Sequence, residues 1–141
     1  MNRNNKKKAG FTLVELMVVA IIVAILAAVA IPLMLGNKRR ALATEADAGV
    51  GAVQTAMRVY LATTGTYPTN GIYSSIPGAG AHDLDGVYFW TSDYAFTQTG
   101  SNYIITATGN SAGSLAPQKT QASGITVVLD STTGQIAHNG L

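Results

Sequence analysis

Few side chains in this 141-residue sequence are of the kinds that perform catalysis or bind a metal ion. Cysteine is absent, so no thiol nucleophile, zinc–thiolate site or disulfide can form. The two histidines, His82 and His138, are distant in the sequence, and a Ser/His/Asp triad has no meaning without geometry. Asp83 and Asp85 fit only part of a calcium-binding loop, and turn chemistry explains them better. The sequence predicts no enzyme, no cofactor and no metal site beyond this weak calcium candidate.

One carboxylate stands in an unusual place, directly before the longest apolar run. Glu15 precedes residues 16–35, which contain no charged or polar side chain, and four basic residues come before it: Arg3, Lys6, Lys7 and Lys8. As a helix rising ~1.5 Å per residue, this run would be about 30 Å long, the thickness of a bilayer core. An unpaired carboxylate at the edge of such a helix costs on the order of 2–3 kcal/mol, so Glu15 requires a specific role.

Two ordinary interpretations of this N-terminal segment remain open. A secretory signal peptide would have the same basic start and apolar stretch, with a small-x-small cleavage site at Ala28-Val29-Ala30. It does not explain Glu15 at the mouth of the stretch, or an apolar run that continues to Leu35. A plain single-pass anchor is the second interpretation, and it leaves Glu15 without a purpose.

The basic leader, the residues Gly10, Phe11, Thr12, Leu13, Val14 and Glu15, and the apolar run resemble the signature of the type IV pilins and type II secretion pseudopilins. The resemblance is close over residues 6–68 and beyond them is only a shared layout. It implies that a prepilin peptidase removes residues 1–10 by cutting after Gly10. It also implies N-methylation of Phe11, and a role in assembly for Glu15 and Phe11.

The function that this resemblance implies is that of a pilin, the structural subunit of a type IV pilus-like helical filament. The alternative is a pseudopilin of a type II secretion system, and a non-polymerising, membrane-anchored binding module is the third hypothesis. The implied partners are copies of the same chain, related minor pilins or pseudopilins, the prepilin peptidase and an inner-membrane assembly platform. Before assembly the chain would span the inner membrane once with its N-terminus in the cytoplasm, and afterwards it would lie in a periplasmic or extracellular filament.

Charge supports this orientation and excludes one class of partner. The basic leader would stay in the cytoplasm by the positive-inside rule. The full sequence has nine basic and seven acidic side chains, and removing the leader would leave five against seven. Lys119 is the only basic residue after Arg58, so no basic patch for nucleic acid is expected in the outer part of the chain.

Periodicity predicts an α+β fold, with one long N-terminal helix packed on a small antiparallel sheet of about four strands. After the leader, residues 11–36 form the transmembrane or filament-core half of the helix, residues 37–65 its amphipathic half, and residues 66–141 the sheet domain. Pro32 predicts a kink, because it removes the hydrogen bond to the Ala28 carbonyl. Apolar residues recur at helical spacing further on: Leu42, Ala46, Val50, Val53, Met57 and Tyr60. Strand candidates are residues 87–90, 94–98, 103–108, 125–130 and 135–138, the last two joined by a hairpin turn at 131–134.

Three further segments carry expectations. The charges of Lys38, Arg39 and Arg40 are interpreted as interfacial anchoring, with contact to acids of neighbouring subunits such as Glu45 or Asp47 as the alternative. Residues 111–123 should form an exposed loop. The resemblance also implies a calcium site, because major secretion pseudopilins bind calcium in an acidic C-terminal loop. In this chain Asp130 is the one acid after Asp93, so that site should be absent or rebuilt.

Overall fold

The structure is a computed structural model, and it describes residues 10–109 and 119–141. Within them, one helix, α1 (Leu13–Thr64), precedes an antiparallel sheet. Its strands are β1 (Gly71–Ile72), β2 (Tyr94–Thr99), β3 (Asn102–Thr108), β4 (Thr126–Asp130) and β5 (Gln135–Asn139). The strands lie in sequence order, so each pairs with its neighbours along the chain. The predicted α+β arrangement is confirmed, with five strands where about four were expected.

The chain divides into two compact units, the first ending at Leu35 and the second spanning Gly36–Leu141. In the described part of the first unit, the large apolar side chains of α1 are exposed. By length and composition α1 is able to cross a membrane. Pro32 lies inside α1, and the helix continues on both sides of it. The kink at Pro32 stays a prediction.

In the second unit, α1 has one buried face that packs against the sheet. The predicted apolar stripe is confirmed at five positions: Leu42, Ala46, Val50, Val53 and Met57. Tyr60 is partly buried at the edge of the same core. The sheet contributes buried side chains that alternate along its strands: Tyr94, Phe96, Tyr103, Ile105, Ala107, Val127 and Leu129. Burial of apolar surface at ~25 cal/mol per Å² is the main term holding the helix on the sheet.

Gly49 makes room in α1 for an aromatic ring. A Cβ atom at this position would lie 2.2 Å from the Cζ atom of Tyr94, whereas a Cβ at Gly51 would meet nothing within 4 Å. Tyr94 is 1% exposed, and burial raises the pKa of its hydroxyl, with smaller contributions from Glu45 and Asp93. Gly49 is therefore a packing residue, which offsets its helix-weakening effect of ~1 kcal/mol.

Two glycines with positive φ end the helix and close the predicted hairpin turn. The helix ends at Thr64, and Gly65 follows with φ +79° and donates its N–H to the Leu61 carbonyl at 2.8 Å. The β4–β5 hairpin closes where Gly134, at φ +66°, donates its N–H to the Asp130 carbonyl at 2.8 Å. Both glycines occupy the left-handed region that other residues rarely adopt.

The expected strand at residues 87–90 is wrong. Tyr88 and Phe89 donate their backbone N–H groups to Oε1 of Glu45 on α1, at 2.8 and 2.7 Å, and so do not join the sheet. The fifth strand is instead β1, a two-residue strand that pairs with β2.

The expectation of an exposed loop at residues 111–123 holds only in part where the chain is described, because Thr120, Gln121 and Ser123 are exposed and the other two residues are buried. Residues 111–118 lie outside the described residues. Lys119–Ala122 form a 3-10 turn in which Lys119 and Ala122 are buried. This turn packs against the chain directly after β3, because a Cβ at Gly109 would collide with the Ala122 carbonyl oxygen.

Candidate functional site

Glu15 is held by hydrogen bonds at the N-terminus of α1. Its Oε2 atom accepts the backbone N–H of Thr12 at 2.8 Å and the Thr12 hydroxyl at 2.9 Å. The Thr12 hydroxyl oxygen in turn accepts the Glu15 backbone N–H at 3.2 Å. This reciprocal pattern is a capping box, which satisfies backbone donors that the first turn of a helix leaves without partners. The Thr-x-x-Glu spacing was readable in the sequence, yet the sequence interpretation did not use it.

The capping box leaves part of the Glu15 carboxylate free. Among the described residues, no donor to Oε1 of Glu15 is present, and the side chain lies at the exposed end of the helix. Phe11, four residues earlier, is 83% exposed, and Gly10 is exposed with open space around it. The carboxylate is thus fixed in direction by Thr12 and retains an oxygen that can accept a further hydrogen bond.

The weak calcium candidates are used in turns. Asp83 accepts the Gly80 backbone N–H through Oδ2 at 2.6 Å. Asp85 accepts the Thr91 backbone N–H at 2.8 Å through one oxygen and lies 2.7 Å from His82 through the other. The Thr91 hydrogen bond, followed by that of His82, lowers the pKa of Asp85 below its ordinary value of 3.8. Within the described part of the chain, no three acids or histidines are grouped to hold a metal ion.

The two histidines lie in different places. His82 pairs with Asp85 in its own loop, while Nε2 of His138 on β5 lies 2.8 Å from Oδ1 of Asp47 on α1. The structure does not bring His82 and His138 together.

The acids proposed as contacts for neighbouring subunits have partners within the chain. Glu45 binds the backbone of the loop before β2, and Asp47 binds His138. Of the three consecutive basic residues, Arg39 donates from Nη2 to the Ser123 carbonyl at 3.0 Å. Glu45 and Asp47 therefore stabilise the second unit of the chain itself.

Sequence interpretation missed a buried ion pair. Nζ of Lys119 lies 2.8 Å from Oδ2 of Asp93, and their side chains are only 5% and 6% exposed. The ammonium also lies 4.2 Å from the centroid of the Trp90 ring. The Trp90 backbone N–H donates to the same Asp93 oxygen at 2.8 Å. The isolation of Lys119, the only basic residue after Arg58, was the one signal in the sequence.

Comparison with known protein sequences relates this chain to one group of proteins. The family model "Prokaryotic N-terminal methylation motif" matches residues 5–31, which include Gly10, Phe11 and Glu15. The chain is 31% identical over 111 residues to the type II secretion system core protein G of Klebsiella pneumoniae, covering 69% of this chain and 79% of the relative. This chain belongs to the type IV pilin and pseudopilin family.

Other relatives carry names of both branches of the family. The type II secretion system core protein G of Vibrio cholerae is 41% identical over 64 residues, 45% of this chain and 44% of the relative. The fimbrial protein EcpC of Eikenella corrodens is 34% identical over 104 residues, 74% of this chain and 64% of the relative. The match thus spans less than half the length of the Vibrio cholerae protein. Members of this family are structural subunits that assemble into filaments with related pilins, and they are not enzymes.

Proposed function

We propose that this chain is a pilin, the structural subunit of a type IV pilus-like filament, made as a membrane-anchored prepilin. The observation that carries the proposal is the capped carboxylate of Glu15 at the start of an exposed apolar helix. In a membrane the apolar side chains of this helix contact lipid, and in a filament they contact the helices of other subunits. Either environment removes from water the surface that the isolated chain exposes.

The first step of this proposal is processing by a prepilin peptidase, which cuts after Gly10 and N-methylates Phe11. Gly10 is exposed, and among the described residues other than its chain neighbours no atom lies within 4 Å of a Cβ built on it, which leaves room for a peptidase. The whole apolar run then survives in the mature chain. Intact-mass measurement of the mature protein should fit a chain that starts at Phe11 and carries one added methyl group. A chain that starts at Ile31 would instead support the signal-peptide interpretation.

The second step is the pairing of Glu15 with the new amine of Phe11 on the next subunit. Phe11 lies two residues before the start of α1 and Glu15 lies in its first turn, and among the described residues the Phe11 backbone nitrogen makes no hydrogen bond to Glu15. Between subunits, the free Oε1 of Glu15 can accept the amine while Oε2 stays in the capping box. Both charges lie beside hydrocarbon, where an unpaired charge costs several kcal/mol. The pairing would therefore favour a single axial register.

Variants at two positions separate this electrostatic role from the capping role. Glu15→Gln removes the charge but keeps an oxygen that can accept the Thr12 hydrogen bonds, since Gln serves in capping boxes. Thr12→Ala does the reverse, because it removes the cap hydroxyl and keeps the charge. We expect Glu15→Ala and Glu15→Gln to insert and to be cleaved after Gly10, with severe loss of filaments, and Thr12→Ala to lose far less.

Mass spectrometry should confirm that each variant population is homogeneous before filaments are counted by electron microscopy. Filaments of normal abundance and register from Glu15→Gln would end the charge-pairing proposal. Loss in Thr12→Ala equal to that in Glu15→Gln would assign Glu15 to helix capping instead.

A second candidate function is that of a pseudopilin in a type II secretion system. It is favoured by relatives named core protein G of such systems, and by the segment Gly65-Thr66-Tyr67-Pro68 after the helix, which resembles that of secretion pseudopilins. Both candidates share the peptidase, an inner-membrane assembly platform and an inner-membrane location before assembly, with the N-terminus in the cytoplasm. Deletion of the gene distinguishes them. Loss of surface filaments supports the pilin, and retention of exported proteins inside the cell envelope supports the pseudopilin.

A further inference from the structure

Three basic residues follow the apolar run, and the structure separates them into two kinds. Arg39 is bound to the folded second unit through its hydrogen bond to the Ser123 carbonyl, and its Nε atom is buried. Lys38 and Arg40, on either side of it, are exposed. Only Lys38 and Arg40 are therefore available to a partner outside the chain.

Neither of these two cations is neutralised within the described chain. No carboxylate oxygen lies within 4.0 Å of Lys38 or Arg40 in the part of the chain that the structure describes. The nearest carboxylates along the helix are engaged, Glu45 with two backbone N–H groups and Asp47 with His138. Two uncompensated positive charges thus remain directly after the apolar run.

The position of these charges along α1 matches one layer of a bilayer. Lys38 is three residues and Arg40 five residues beyond Leu35, the last residue of the apolar run, which corresponds to about 4.5 and 7.5 Å of helix. The polar headgroup layer is about 5–7.5 Å thick on each side of the hydrocarbon core. Arg58, also exposed, is 23 residues beyond Leu35 in the sequence and is therefore a base remote from the end of the apolar run.

We propose that Lys38 and Arg40 bind the phosphate groups of anionic lipids in the leaflet where the apolar run ends. This inference rests on the membrane insertion contained in the proposed function. Successive residues of a helix are rotated by about 100°, so Lys38 and Arg40 lie on the two flanks of Arg39. A headgroup layer surrounds the helix and reaches both flanks, whereas one protein surface would reach one of them. Both side chains supply several N–H donors on flexible stems long enough to reach a phosphate.

The test measures lipid selectivity of the processed chain, which starts at Phe11 and so lacks the four basic residues of the leader, purified in a non-ionic detergent and stripped of lipid. Phosphatidylglycerol and phosphatidylcholine are added in equal amounts, and native mass spectrometry counts the lipids retained. Each basic residue near an anionic lipid surface contributes about 1 kcal/mol, so two correspond to about a 30-fold preference for phosphatidylglycerol. We expect the Lys38→Gln, Arg40→Gln double variant to lose that preference and Arg58→Gln, a matched change of an exposed base, to keep it.

Several results would overturn the proposal. These are equal retention of the two lipids by the original chain, unchanged selectivity in the double variant, and an equal loss of selectivity in Arg58→Gln. Binding of inorganic phosphate as tight as that of phosphatidylglycerol would overturn the lipid assignment. A double variant with unchanged lipid selectivity that forms no filaments would indicate a contact with another subunit instead. The lipid measurement needs no filaments, so failure of the proposed function in filament assembly would be recognised separately.

Discussion

Replacement of Lys119 by Met should strongly destabilise the second unit of this chain. The substitution removes the ammonium and keeps a flexible apolar side chain of similar length. Asp93 then stays almost fully buried, with the Trp90 backbone N–H as its remaining described hydrogen-bond donor. Removing one partner of a buried pair costs about 3–5 kcal/mol, because the other charge is left uncompensated. Domains of this size have a free energy of unfolding of about 5–15 kcal/mol, so the loss is a large fraction of the total.

The second unit can be studied in a version of the chain that starts at Asn37. Trp90 is the only tryptophan in the sequence and lies against the Lys119 ammonium, so its fluorescence reports unfolding and the local site together. Urea denaturation should show a loss of about 3–5 kcal/mol for Lys119→Met. The melting temperature should fall by at least about 12 °C.

A double-mutant cycle and a surface control make the test specific. Asp93→Asn combined with Lys119→Met leaves a neutral pair, so the combined loss should be smaller than the sum of the single losses by at least ~1 kcal/mol. Lys38→Met makes the same change at an exposed lysine and should shift stability by less than about 0.5 kcal/mol. A loss below about 1 kcal/mol for Lys119→Met, or strictly additive losses, would refute the stabilising role of the pair.

Three other predictions address packing, titration and assembly. In urea denaturation, Gly49→Ala should lower the free energy of unfolding by about 1–3 kcal/mol, because its Cβ would collide with the Tyr94 ring. Gly51→Ala should raise the free energy of unfolding by up to ~1 kcal/mol. A change of the same sign in both variants would contradict this packing. The folded state lowers the pKa of Asp85, so Asp85→Asn should reduce the melting temperature above about pH 4. The difference in melting temperature between the original chain and the variant should disappear as the pH falls through the folded pKa, which is below 3.8. An equal difference at pH 2 and pH 7 would contradict this prediction. The version that starts at Asn37 should be monomeric at micromolar concentration by light scattering, because it lacks the apolar helix, and filaments formed by it would contradict assembly through that helix.

Features encoded by local pattern were predictable from the sequence. The apolar spacing from Leu42 to Met57 gave the buried face of α1, and Gly65 marked its end. Alternating residues and a glycine turn gave the β4–β5 hairpin. In these segments the hydrogen-bond partners are near in sequence, so the pattern contains the information that decides the structure.

Features decided by contacts distant in sequence were not predictable in this way. Residues 87–90 have strand-forming side chains, but the backbone N–H groups of Tyr88 and Phe89 bind Glu45, more than forty positions earlier. Lys119 stands in polar sequence typical of a loop, and only the folded position of Asp93 buries it. At the candidate site, the Thr12–Glu15 cap is local and was readable, whereas the proposed pairing of Glu15 with another subunit would involve a second chain.

The strand order of the sheet has a consequence for how this chain folds. Because every strand pairs with the one before it, each new strand can pair at the edge of the sheet that is already formed. No strand has to be inserted between two strands that are distant in sequence. The loop-closure entropy for adding each strand depends only on the length of the segment that connects it to the previous strand, so the conformational search for each pairing is short. We therefore expect the sheet to grow in the direction of synthesis, from β1 to β5. The connection that contains Lys119, between β3 and β4, is longer than the turns that join β2 to β3 and β4 to β5, so the addition of β4 should be slower than the closure of those two hairpins.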